Sequence, residues 1–186
     1  MIETAAPSVI AGEQGRFVTV VGTFCRSIAE EHRRFVLNGS VRAGRYSTTE
    51  QPTLYLSATP GGVEAAMRAH ENPGETRVIC ELHVDGGPIF DLRDRGSCRW
   101  AGIDARDAAG PWQDEVARDG EPASWRVRHR LEEVGAAGLI DPSRSAPGLR
   151  HLVLFAWNVP GSPAVRVIPR NPLNSGAALA VNPSSA

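Results

Sequence analysis

The chain has 186 residues and no lysine: its 20 basic side chains are all arginine, set against 21 acidic ones. A net charge of -1 excludes the broad positive field with which nucleic-acid binders collect their ligand. Any anionic ligand must then be held by individually placed arginines, whose planar fork grips phosphate bidentately. A GC-rich coding sequence explains the same bias without invoking function. Cysteine is scarce. Cys25, Cys80 and Cys98 are odd in number and lack a C-x-x-C spacing, which argues against a disulfide framework and a zinc site. The longest apolar run, LVLFAW at 152–157, is far too short to span a bilayer. The opening MIETAAPSVIAGEQG has no basic start followed by an apolar run, so no leader is indicated. These absences lead us to expect a soluble, cytoplasmic protein that binds neither membrane nor nucleic acid directly. The nucleotide-binding glycine loops, the H-E-x-x-H zinc helix and the G-x-S-x-G nucleophile elbow are missing as well.

What is present has the composition of one globular domain, with 41% hydrophobic and 22% charged residues. Residues 1–15 read as a flexible N-terminus, 16–170 as the folded domain and 171–186 as a disordered tail. Strand patterns cover 16–28, 53–59, 76–84, 88–94, 138–145, 151–159 and, at an edge, 164–169. In the third of these, Val78, Cys80, Leu82 and Val84 alternate onto one face. A short helix or turn is expected at 29–39, a helix at 63–71 after Gly61-Gly62, and the best-patterned helix at 121–138. In that helix Trp125, His129, Leu131 and Val134 fall near helical spacing, and 95–120 reads as irregular. Helices alternate with strands too rarely for a doubly wound fold. The expectation is α+β, with a mixed or antiparallel sheet flanked by helices.

Several polar residues stand at predicted strand ends, each with an ordinary explanation beside a functional one. Arg45 follows Gly44, where backbone can approach a ligand closely, but a solvated loop arginine looks the same. Tyr55 is a core tyrosine or a ring that stacks on a base. Glu64 opens a helix, where the dipole alone favours a carboxylate. Ser143 and Arg144 sit in a Pro-preceded turn that a serine would cap in any case. Arg26 leaves the first strand. Together they make a kit for an anionic, base-bearing ligand such as a dinucleotide.

The order of these segments resembles the RES domain family, toxins of bacterial RES–Xre toxin–antitoxin pairs. FCR (24–26) is similar to the family's aromatic-Arg strand end, and AGRYS (43–47) to its Gly-Gly-Arg-aromatic-Asn motif. TLYLSATPGGVEAAM (53–67) is similar to its Tyr strand and Pro turn into a helix. SWRVRHRLEEVGAAGLIDPSRSAPGLRHLVLFAWN (124–158) is similar to its Ser-Trp helix, Pro-Ser-Arg turn and buried strand. The resemblance implies a fold like the diphtheria-toxin-like ADP-ribosyltransferases, with NAD+ as substrate and no metal. It implies catalytic roles for Arg45, Tyr55 and Glu64, and NAD+ contacts from Arg26, Arg45, Tyr55, Ser143 and Arg144. The family glutamate position falls on Ala66. Glu64, the nearest carboxylate, lies about 200° away around a helix unless Gly61-Gly62 re-phases it; Glu71 and Glu81 are the other candidates. The implied activity is growth arrest by NAD+ hydrolysis or phosphorolysis. The alternatives are ADP-ribosylation of a protein such as phosphoribosyl pyrophosphate synthetase, or an inactive NAD- or partner-binding module. An Xre-like antitoxin is the implied partner.

Overall fold

The computed structural model describes residues 7–11, 15–67, 75–144 and 147–169. The protein is α+β. Among the described residues, seven strands form one mixed sheet: β1 (Ser8–Ala11), β2 (Val18–Ala29), β3 (Leu54–Ser57), β4 (Arg77–Asp91), β5 (Gly138–Pro142), β6 (Arg150–Leu154) and β7 (Ala164–Val167). They lie in the order β1-β2-β3-β6-β5-β4-β7, and β2 also pairs with β4. The pairings of β2, β3, β6, β5 and β4 therefore close into a circuit, with β1 and β7 attached outside it. Among the described residues, only β4 and β5 run parallel.

Alternation along the strands divides the core in two. Phe24, Leu54, Leu56, Cys80, Leu82, Val84, Leu152 and Leu154 build one cluster, with Val78 packed against it. Tyr46, Phe90, Val127, Leu131, Leu139 and Val153 build the other, with Tyr55 and Phe155 against it. The helices are α1 (Pro60–Met67), α2 (Arg95–Ala101), α3 (Ala105–Ala109), α4 (Trp112–Ala117) and α5 (Ala123–Glu133). Val127 and Leu131 carry α5 onto the second cluster. The buried stripe of α5 thus includes Arg128 rather than the expected His129.

Four expectations are corrected. The two strands at 76–84 and 88–94 are one, β4 (Arg77–Asp91), because its ladder with β2 runs to Gly86 and resumes at Ile89. A register irregularity between Val18 and Val20 absorbs the glycines, and a Cβ on Gly87 would meet the Val18 carbonyl at 2.9 Å. The irregular stretch 95–120 holds three short helices. Asp94 and Asp104 cap the first two by accepting from the amides of Gly96, Ser97 and Arg106, and Gly102 ends α2 in the left-handed conformation. The N-terminal fifteen residues contain β1, whose four residues pair with Val18–Val21 of β2. Finally, α1 starts at Pro60 with Gly61 and Gly62 inside its first turn, so no glycine turn re-phases Glu64. The 3₁₀ turn at Glu30–Phe35 and the edge position of β7 agree with the sequence pattern. The tail from 171 lies outside the described residues.

Candidate active site

Gly44 to Ser47 fold into a tight turn closed by Gly44 N to Ser47 O (2.8 Å) and Ser47 N to Gly44 O (3.2 Å), with Arg45 and Tyr46 at its tip. The Tyr55 hydroxyl fills the turn from beneath. It accepts from the Tyr46 amide at 3.1 Å and meets Ser47 Oγ at 2.9 Å. The expectation that Gly44 admits a ligand is thereby corrected: a Cβ there would lie 2.6 Å from the Tyr55 hydroxyl oxygen, so the close approach is to Tyr55. Helix α5 grips the turn from the other side. Ser124 Oγ donates to Arg45 O, Trp125 Nε1 to Gly44 O (2.9 Å) and Arg128 Nη1 to Tyr46 O (3.0 Å). Arg128 also donates to Thr53 Oγ1 (2.7 Å) and Glu132, and stacks over Phe155. Side chains one turn of helix apart thus hold one short loop, which is why a Ser-Trp start and a following arginine belong together.

The Arg45 side chain crosses to α3, donating to the carbonyls of Ala108 (3.1 Å) and Gly110 (2.6 Å). Arg144 donates to the same Ala108 oxygen at 2.6 Å and forms an ion pair with Asp141. Two guanidinium groups therefore converge beside one buried carboxylate. Burial, and then the like charge of Arg144, lower the Arg45 pKa. Burial also raises that of Asp141, against the pull of Arg144. Tyr46 is fully buried, and burial and the nearby Asp141 charge push its phenol pKa far up. Although Asp141 lies close, the Tyr46 hydroxyl has no partner of hydrogen-bond geometry among the described residues, so we read their contact as electrostatic. Ser143 is buried one position before Arg144, its amide bonded to Leu149 O at 2.9 Å.

Of the expected site residues, the structure brings Arg45 and Arg144 onto one carbonyl oxygen and sets the Tyr55 hydroxyl against the Arg45 turn, while Ser143 stands next to Arg144 in the chain. Tyr55 is half-buried, its pKa raised by burial and lowered in part by its Ser47 hydrogen bond. Arg26 is not in this group. It alternates onto the Phe24 face of β2, and its Nη1 donates to Val36 O and to Asn38 O (2.6 Å). Burial lowers its pKa to about 10. Glu64 stands on the exposed side of α1, whose buried residues are Gly62, Val63 and Ala65. Glu81 lies on β4 opposite Cys25, and Glu71 is outside the described residues.

The RES domain model matches residues 26–175. The chain belongs to the RES domain family. Among solved structures, this RES domain is similar to a chain of the M. tuberculosis MbcT-MbcA toxin-antitoxin complex, at TM-score 0.53 and 16% identity. The match covers 85% of this chain and 84% of that one, and at this identity it establishes a common fold. No curated protein matches in sequence. Reading the RES domain's sequence missed Asp141, Tyr46, Ser57 and His151. Asp141 was legible in part, as an acid in a buried apolar strand only three residues before an arginine. His151 and Ser57 carried no signal, because strand register alone joins them.

Proposed function

We propose that this RES domain is the toxin of a toxin–antitoxin pair and consumes NAD+ by cleaving its nicotinamide–ribose bond. The observation that carries the reading is the convergence of Arg45 and Arg144 on one carbonyl oxygen, with Arg45 in the turn that the Tyr55 hydroxyl supports. Like charges held this close favour an anion between them, and a diphosphate offers two phosphates to two forks. Arg45 and Arg144 hold the diphosphate in exchange for their bonds to α3, Tyr55 borders the nicotinamide end, and Ser143 hydrogen-bonds the ligand. Departure of nicotinamide leaves a ribose with oxocarbenium character, which nearby carboxylate charge stabilises. Glu64 and Arg26 take part in this scheme only by a movement of α1 or of the Val36–Asn38 loop.

The pairing with a partner rests on family membership and on the toxin-antitoxin complex of the similar structure. An Xre-like antitoxin covering this site in the cytoplasm is the matching regulator. No helix among the described residues is long and apolar enough to cross a membrane.

Purified protein incubated with NAD+, with and without cell lysate, tests the reading by nicotinamide release and by label transfer. Nicotinamide release is expected. Arg45→Ala should lower kcat/KM by about 10- to 100-fold, as one charge-assisted contact of about 1.5–3 kcal/mol requires. Label on one lysate protein would favour ADP-ribosyl transfer. Absence of both release and label, with Arg45→Ala as toxic as the wild type, would exclude NAD+ consumption and leave a binding module.

A further inference from the structure

One register line crosses three strands and carries Ser57 on β3, His151 on β6 and Asp141 on β5. Residues directly opposite on neighbouring strands share a face, so the three side chains form a row. His151 Nδ1 lies 2.9 Å from Ser57 Oγ. Asp141, at the far end, is ion-paired to Arg144, which joins the row to the paired arginines. Tyr55 is two residues before Ser57 on the same face, about 7 Å along the strand. Ser57 and Asp141 are buried while His151 is half-buried, so the imidazole is the member of the row within reach of a ligand.

We propose that His151 is the general base that activates water for attack on the ribose carbon of NAD+, with Ser57 fixing its orientation and Asp141 stabilising the imidazolium. This rests on the NAD+ reading above and deepens it by choosing water as acceptor. In the working state Nδ1–H donates to Ser57 Oγ, which leaves the lone pair on Nε2. Water oxygen bonds to the anomeric carbon as the carbon–nitrogen bond to nicotinamide breaks. The bonding pair leaves with nicotinamide, which becomes neutral, and the water proton passes to Nε2. The imidazolium then releases that proton to solvent, so that NAD+ and water give ADP-ribose, nicotinamide and a proton. Phosphate, already an anion, would need no such base.

The groups that set the charge of this imidazole come from each neighbouring element. Burial is the largest influence and favours the neutral form. Asp141 on β5 favours the protonated form, and Arg144 after it opposes that. Ser57 on β3 is uncharged. A neutral imidazole at neutral pH, with a carboxylate placed to receive its charge, is what a general base requires.

The test is the pH dependence of nicotinamide release by the full chain between about pH 5 and pH 8, with products separated. Wild type should make free ADP-ribose, with kcat falling on the acid side. His151→Asn should lower kcat by about 100-fold or more, leave KM nearly unchanged and abolish the acid limb. A merely structural histidine would not remove that limb. Turnover by wild type together with full kcat in His151→Asn and His151→Gln overturns this proposal and leaves NAD+ consumption standing. Wild type that releases no nicotinamide sinks both. Should the variants fail to fold, the wild-type profile decides: an acid limb supports the proposal, and a flat kcat over the range overturns it.

Discussion

Replacing Arg128 with lysine keeps the charge of the residue that anchors the Arg45 turn but removes its fork. In the wild type, Nη1 serves Tyr46 O and Thr53 Oγ1, Nε serves Glu132 at 2.9 Å, and the guanidinium lies 4.7 Å from the centre of the Phe155 ring. The side chain is only 5% exposed, so solvent cannot replace a lost partner. A lysine ammonium reaches one end of this set and abandons the other. One charge-assisted hydrogen bond contributes about 1.5–3 kcal/mol, and weaker stacking on Phe155 costs about 0.5 kcal/mol more. The total of about 2–3.5 kcal/mol corresponds to a fall in Tm of about 4–14 °C for a chain of this size. Urea titration should show a lower midpoint with unchanged slope, which separates lost stability from a changed denatured state. Arg106→Lys is the control: its side chain is 90% exposed, and its Tm should not move. If Arg128→Lys melts with the wild type, the fork is not what holds the turn, and the all-arginine composition needs no structural explanation at this site.

Gly44→Ala places a methyl 2.6 Å from the Tyr55 hydroxyl oxygen, so its bonds to Ser47 and Tyr46 should break at a cost of about 2 kcal/mol. In a Tyr55→Phe background the same change should cost less, a coupling that a double-mutant cycle of melting temperatures will read. Tyr46→Phe removes a buried hydroxyl without a hydrogen-bond partner among the described residues, so Tm should hold or rise by an amount worth about 1 kcal/mol. A clear fall would put that hydroxyl in a hydrogen bond with Asp141. The lowered pKa of His151 means that the unfolded chain takes up this proton at a higher pH than the folded one. Its contribution to stability is therefore full above the ordinary histidine pKa of about 6.5 and is lost as pH falls through the lowered value. Urea midpoints measured downward from neutral pH should decline, and His151→Asn should decline less.

Much of the architecture was written locally. The alternation of Val78, Cys80, Leu82 and Val84 predicts one face of β4, and those side chains do pack on one cluster. The α+β class followed from the sparse alternation of helix with strand. The motif blocks around Arg45, Tyr55 and Ser143-Arg144 pointed to the family to which the chain belongs. The capping aspartates Asp94 and Asp104 are equally local signals, which the reading of 95–120 as irregular passed over. Near neighbours in the chain decide such features, so the sequence determined them by itself. Which polar groups meet is another matter. Arg26 and Cys25 are adjacent in the chain yet point to opposite faces of β2, and only Cys25 stands in line with Ser57. Arg45 finds Arg144 across α3, and Ser57 finds His151 ninety-four residues later, because the β3–β6–β5 register brings them level. Shifting one strand by one residue would turn its members of that row to the other face. That register is set by burying both clusters at once, a condition on the whole sheet that only the tertiary structure decided.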